Sequence, residues 1–170
     1  MPPGDGAAEL FAAGDAGMCV KKESGVRSQE SECYRSFSDE ETVGLGRTLA
    51  HSLPTKACVL LIGNLGAGKT TLAKGIIHGL GCADPDEVAS PTYTLIHEYG
   101  DSRVYHIDLY RLDEPKQVAT LGLDDIFDRE AVVLIEWGER FPELMPKPRI
   151  EIHLTAVNET ERQIIILNIV

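Results

Sequence analysis

The residues best suited to chemistry sit first in one stretch, ACVLLIGNLGAGKTTL from Ala57 to Leu72. There Gly63, Gly68, Lys69 and Thr70 fall on the G-x-x-x-x-G-K-[ST] spacing of a phosphate-binding loop. Glycines let the chain curl tightly enough for successive backbone N–H groups to point inward, a concave set of donors suited to an anion. The loop Asn64, Leu65, Gly66, Ala67 and Gly68, with Lys69, Thr70 and Thr71 behind it, is therefore expected to cradle phosphates. Lys69 would add a mobile positive charge for the outer phosphates, and Thr70 a hydroxyl for Mg²⁺. The helix that follows would turn its positive dipole end toward the same anion. A nucleoside triphosphate is the natural ligand. A glycine-rich turn without one would not require the lysine.

Two acids at the ends of apolar runs extend the set. VYHIDLYRL carries Asp108 at the end of one strand-like run, and AVVLIEW carries Glu136 at the end of another. In open α/β sheets the carboxyl ends of the strands surround the ligand crevice, so either acid suits a metal or water contact. Asp108 or Glu136 would orient an attacking water. The alternatives are that Asp108 caps the next turn or pairs with Arg111, and that Glu136 is an ordinary surface acid. Thr92, within SPT, lies in the connection after the loop helix, where a residue that senses the terminal phosphate can sit. A plain turn threonine is the other reading. Trp137, the single tryptophan, follows Glu136 and is placed to report a ligand by its fluorescence.

These side chains need a strand, a tight loop and a helix in that order, and the chain supplies them. Ala57 to Ile62 is a buried strand, and Thr70 to Leu80 a helix closed by Gly81 as its C-cap. Upstream, a short strand is expected over Tyr34 to Phe37. Ser38-Asp39-Glu40-Glu41 then forms a capping box, with Ser38 at N-cap and Glu41 at N3. Val43, Gly46, Ala50 and Leu53 recur at helical spacing until Pro54 closes that element. Downstream, Pro85 and Pro91 forbid a helix through CADPDEVASPT. Thr94 to Tyr99 and Arg103 to Ile107 read as a hairpin around Gly100-Asp101-Ser102. Short helices follow over Glu114 to Leu121 and Leu123 to Phe127, and Ala131 to Ile135 reads as a second buried parallel strand. Arg149 to Leu154 and Arg162 to Val170 make a closing hairpin. Residues 1–33 are rich in Gly, Ala, Ser and Glu without a sustained period and read as a flexible extension, leaving one α/β domain over residues 34–170.

Composition narrows the partners. A formal net charge of −11 and no cluster of Lys and Arg argue against a protein that grips nucleic acid unaided. Four cysteines without C-x-x-C spacing read as reduced thiols, not as a zinc site or disulfide framework. No run approaches the ~18 apolar residues of a membrane span. The start lacks the basic and apolar segments of a secretory signal. The expected setting is the cytoplasm.

With these pieces in order, the chain resembles the TsaE family, the ATPase component of the bacterial machinery that makes threonylcarbamoyladenosine in tRNA. The resemblance runs from about Tyr34 to the C-terminus. It rests on SDEETVGLG (38–46), GNLGAGKTT (63–71), SPTYTLIHEY (90–99), YHIDLYRL (105–112) and LIEW (134–137). It implies a phosphate-loop NTPase-like α/β fold with a mixed β-sheet flanked by helices. It also implies binding of ATP and Mg²⁺ with slow hydrolysis, and action on a complex of TsaD and TsaB that ATP hydrolysis resets between turnovers, so that tRNA is met only through those partners. Carried onto this chain, the resemblance makes Lys69 the holder of the outer phosphates and Thr70 a Mg²⁺ ligand. Asp108 and Glu136 become the acids needed for hydrolysis, placed to serve the metal. Asp39 and Thr42 would lie near the adenine, and Arg162 at the position of a nucleotide-contacting arginine. Two features depart from the family pattern: Asn64 stands where Asp or Glu is usual, and the N-terminal extension is not shared. A small-molecule kinase also opens with a phosphate loop, but the region between Asp108 and the closing hairpin offers only Arg111, Arg129 and Arg140, with no clustered pair for a lid. A nucleotide-gated binding module with incidental hydrolysis is the reading from a non-enzyme class. The N-K-x-D pattern of guanine-selective proteins is absent.

Overall fold

The computed structural model describes residues 31–170. The extension expected over residues 1–33 lies outside that range, apart from Ser31, Glu32 and Cys33, which stand in the first strand. The elements are β1 (Ser31–Ser36), α1 (Asp39–Ala50), β2 (Ala57–Ile62), α2 (Lys69–Gly79), β3 (Ile96–Tyr99), β4 (Val104–Asp108), α3 (Pro115–Ala119), α4 (Leu123–Phe127), β5 (Val132–Glu136), β6 (Arg149–Ala156) and β7 (Arg162–Ile169). The strands form one mixed sheet in the order β1-β7-β6-β2-β5-β4-β3. β2 is flanked in parallel by β5 and β6, β5 pairs in parallel with β4, and β3, β7 and β1 join antiparallel.

The near-continuous apolar sequences of β2 and β5 follow from their place in the sheet. A central parallel strand is covered on both faces, so both sets of alternating side chains must be apolar. On one face Val59, Leu61, Val132 and Leu134 pack with Leu72, Ala73, Ile76 and Ile77 of α2. On the other, Leu60, Val133, Ile135, Tyr105 and Ile107 pack with Val118, Leu123 and Ile126 of α3 and α4. Each of the leucines and isoleucines buried here contributes roughly 1.5–3 kcal/mol.

α1 lies against α2 at unusually close range. A Cβ at Gly46 would stand 2.5 Å from the Leu72 carbonyl oxygen, and one at Gly75 would stand 2.1 Å from that of Val43, so the two helices meet backbone to backbone. Ser38 caps α1 as expected, its Oγ accepting from the Glu41 N–H at 3.1 Å. The returning arm differs: Glu41 accepts from the N–H of Phe37, at 2.8 Å, one residue earlier than a standard capping box.

Some boundaries differ for physical reasons. β1 begins at Ser31, not Tyr34, because β7 continues to Ile169 and offers Leu167 as the partner of Ser31. β3 begins at Ile96, not Thr94, because Leu95 takes a left-handed φ of 68° and closes a turn from its N–H to the Pro91 carbonyl at 2.7 Å. α3 is shorter than expected: Glu114 is its N-cap, Pro115 opens it, and Gly122 at φ 69° separates it from α4. Among the described residues no helix is long and apolar enough to cross a membrane. Cys33, Cys58 and Cys82 are free thiols, and Cys19 lies outside the described residues. Burial pushes the Cys58 thiol up to about 12, with Arg149 acting against it, so it is not a nucleophile at neutral pH.

The helix contact makes a direct prediction. Gly75→Ala should destabilise the protein by about 1–3 kcal/mol, as overpacked sites do. Urea denaturation followed by circular dichroism checks it, and an unchanged midpoint would contradict the backbone contact.

Candidate functional site

The site forms where β2, β4 and β5 end side by side. In the sheet register Leu61 pairs with Glu136, and Glu136 with Asp108, so the two acids are neighbours at the edge where β2 passes into the glycine-rich loop. Side chains two apart in a strand share a face. The face that carries Val59, Leu61, Val132 and Leu134 toward α2 therefore also carries Glu136, Asp108 and His106. All three are buried.

The loop is the one its glycines require. Gly66 and Gly68 adopt φ of 79° and 99°, in the left-handed region, and Gly68 is the N-cap of α2. No side chain caps that helix, so the N–H groups of its first turn remain donors toward the loop. Lys69, the first helical residue, turns back: its Nζ donates to the carbonyl oxygens of Gly63 at 2.5 Å and Asn64 at 3.1 Å, and lies 4.0 Å from the centroid of the Trp137 ring. Burial holds this ammonium below its ordinary value, while the carboxylates of Glu136, Glu139 and Asp108 act in the opposite direction. A buried cation so placed gains from an anionic ligand that supplies the charge it lacks.

Thr70 Oγ1 donates to Glu136 Oε1 at 2.8 Å. The hydroxyl hydrogen is thereby directed at the acid, and the oxygen's lone pairs are left for a cation. Asp108 is held differently. Its Oδ2 accepts from Ser90 at 2.7 Å and from Thr92 at 3.4 Å, and its Oδ1 accepts from the Tyr110 N–H at 2.9 Å. The turn-capping alternative is thus met in part, while Arg111 is not its partner and stacks over Tyr93, 4.8 Å from the ring centroid. Arg162, at the start of β7, reaches the loop from the far hairpin. Its Nη2 donates to the Gly66 carbonyl at 3.4 Å, its Nη1 is tied to the carbonyls of Asn158, Glu159 and Glu161, and its Nε is buried without a hydrogen-bond partner.

Asn64, Leu65 and Gly66 are exposed, Ala67 is buried and Thr71 half-buried, as a loop with its outer rim in water requires. Asp39 and Thr42 lie at the corner between β1 and α1. There the Thr42 hydroxyl bonds the Ser36 hydroxyl at 2.7 Å and the Ser38 carbonyl at 3.1 Å.

Several participants escaped the sequence reading: Ser90, which holds Asp108; His106, whose Nε2 lies 2.9 Å from Glu136 Oε1; and Glu139, whose Oε2 is buried without a partner. Burial raises the Glu139 carboxyl above its ordinary value, against its own backbone N–H and the charges of Lys69, His153 and Arg140. His106 did carry a signal, since it precedes Asp108 by two in a strand and must share its face.

Among the described residues no three His, Cys, Asp or Glu side chains come together as a metal site. A hydroxyl and one or two carboxylates beside a phosphate cradle nevertheless fit Mg²⁺, which keeps waters and phosphate oxygens as its remaining ligands. A separate groove of about 690 Å³ between α3, α4 and Met145 does not compete for that role. Its charged lining residues, Asp124, Asp128 and Glu143, are all acidic and repel phosphate.

Comparison with known proteins points to one family. A family model described as threonylcarbamoyl adenosine biosynthesis protein TsaE matches residues 36–164. The tRNA threonylcarbamoyladenosine biosynthesis protein TsaE of Nostoc sp. is 43% identical over 130 residues, spanning 73% of this chain and 78% of the relative. The protein of the same name from Bacillus subtilis is 37% identical over 133 residues, 77% of this chain and 82% of the relative. Among solved structures, Bacillus subtilis YdiB superposes with a TM-score of 0.69 at 30% identity, covering 85% of this chain and 90% of that one.

Because Lys69 rests on the Trp137 ring, a triphosphate that draws the ammonium toward itself should change the emission of that tryptophan. Titration of the protein with a Mg²⁺–nucleotide, read as Trp137 fluorescence, tests this, and silent emission would place the ligand elsewhere.

Proposed function

The chain belongs to the TsaE family, and from that membership we propose that it is the ATP-driven component of tRNA threonylcarbamoyladenosine biosynthesis. It binds ATP with Mg²⁺, hydrolyses it slowly, and resets a complex of TsaD and TsaB between turnovers. The observation that carries this reading is the meeting of Lys69, Thr70 and Glu136 at the start of α2, beside a loop whose glycines bend backbone donors inward.

The roles follow from the contacts. The loop N–H groups and the N-terminal dipole of α2 hold the phosphates. Lys69 exchanges its two carbonyl partners for the outer phosphates, where its charge is worth more than among neutral oxygens. Thr70 and Glu136 would hold Mg²⁺, which supplies charge neutralisation at the phosphate oxygens. Asp108, fixed by three donors and set beside Glu136, orients the attacking water. Arg162 lies against the rim of the loop and contacts the nucleotide from there, while Asp39 and Thr42 flank the adenine side and Thr92 stands beside Asp108 as the phosphate-sensing residue.

Slow turnover alone is expected, because the arginines near the site are committed. Arg111 stacks on Tyr93, Arg140 bonds the Tyr110 carbonyl and Asp113, and the Nη1 of Arg162 is tied to its own hairpin. A partner can supply the missing transition-state charge, as arginine fingers do. The net charge of −11 leaves the holding of tRNA to TsaD and TsaB. The cytoplasm is the setting in which that substrate is found.

The test is reconstitution of tRNA modification with TsaD and TsaB. Lys69→Ala should lose nucleotide binding. Asp108→Ala and Glu136→Ala should lower hydrolysis by about 10²-fold or more while changing ATP affinity far less. Full modification through many cycles with the Asp108→Ala chain would mean that bound ATP suffices and hydrolysis is incidental.

A further inference from the structure

His106 is a fully buried imidazole in the middle of β4, and no role falls to it in the chemistry above. Its Nε2 lies 2.9 Å from Glu136 Oε1, the same oxygen that receives the Thr70 hydroxyl at 2.8 Å. An ionised carboxylate only accepts, so the imidazole proton resides on Nε2. Its Nδ1 has no hydrogen-bond partner among the described residues. A bare, buried ring nitrogen costs free energy that an apolar residue of similar size would not incur. The free energy given up there purchases one directed hydrogen bond.

We propose that His106 is the positioning residue of Glu136: its Nε2–H, with the Thr70 hydroxyl, pins Oε1 and so fixes the plane in which the carboxylate faces the divalent cation that accompanies the nucleotide. The inference rests on the reading of Thr70 and Glu136 as the cation-holding pair. Three features support it. The two donors converge on one oxygen from two separate elements, β4 and α2, which defines the carboxylate plane where a single donor would leave it free to swing. Glu136 ends a strand and is followed by Trp137 at φ 66°, so the regular strand stops at the acid itself. And outer contacts of this kind around metal ligands typically change metal affinity or activity by about 10–100-fold when removed.

The experiment uses three substitutions and two readouts. His106→Leu removes both ring nitrogens at similar volume. His106→Asn places an amide near the Nδ1 position, too short to reach Glu136, and keeps the test open should the leucine chain fail to fold. His106→Gln restores a donor near Nε2. The first readout is the Mg²⁺ concentration needed for half of the nucleotide-dependent change in Trp137 fluorescence, and the second is ATP turnover at saturating Mg²⁺. The leucine and asparagine chains should need about 10–100-fold more Mg²⁺, with unchanged affinity for ATP in the presence of EDTA, and the glutamine chain should return to within a few-fold of the unsubstituted one. Folded leucine or asparagine chains with Mg²⁺ dependence within twofold of the original would overturn the proposal, and so would a folded glutamine chain as impaired as the leucine chain. If the unsubstituted chain binds nucleotide without any dependence on Mg²⁺, the failure lies in the cation-site reading itself, and the proposal falls with it.

Discussion

The constraint on which the rest of the molecule depends is the parallel register of β2, β5 and β4. It sets Leu61, Glu136 and Asp108 in one row, so the point where β2 breaks into its loop is the point where both acids leave the sheet. A slip of one residue would turn every side chain of a strand to the opposite face. Glu136 would then face α3 and α4, and Thr70 would lose its acceptor. The continuous apolar sequences of β2 and β5 therefore do more than fill a core. Their burial makes the register costly to change, and the register aims the acids.

Within that row, desolvation and charge oppose each other. Lys69 is buried enough to be held below its ordinary value, yet three carboxylates surround it. Two of those carboxylates are in turn held by side-chain donors: Thr70 and His106 on Glu136, Ser90 and Thr92 on Asp108. Those hydrogen bonds orient the two acids at the place where a phosphate and its cation would meet them. The acid-lined groove by α3 and α4 belongs to the opposite side of the same electrostatics, a surface from which a polyanion is repelled.

Much of this could be read along the chain, because the relevant information is local. The loop, Lys69 and Thr70 sit within one continuous motif, and Asp108 and Glu136 end two apolar runs. What was less legible depends on pairing between distant segments. Arg162 meets Gly66 from 96 positions away and was placed only through the family resemblance. Ser90 meets Asp108 just ahead of a turn that the left-handed Leu95 closes, and a leucine gives no warning of that conformation. Strand alternation sets His106 on the face of Asp108, but its partner Glu136 belongs to the neighbouring strand and is known only from the pairing. The strand order, with β6 parallel beside β2 and β1 at the outer edge, is likewise a matter of long-range contacts that local propensity does not record.

The close contact of α1 with α2 divides the crevice into two walls of different character. On one side, main-chain atoms of Gly46 and Gly75 leave no room to slide, so the helix bearing Lys69 and Thr70 is anchored and cannot give without unpacking the pair. On the other, the segment from Ser90 to Leu95 is joined to Asp108 by side-chain hydrogen bonds of about 0.5–1.5 kcal/mol each. The first wall behaves as an anvil and the second as a latch fastened through two hydroxyls.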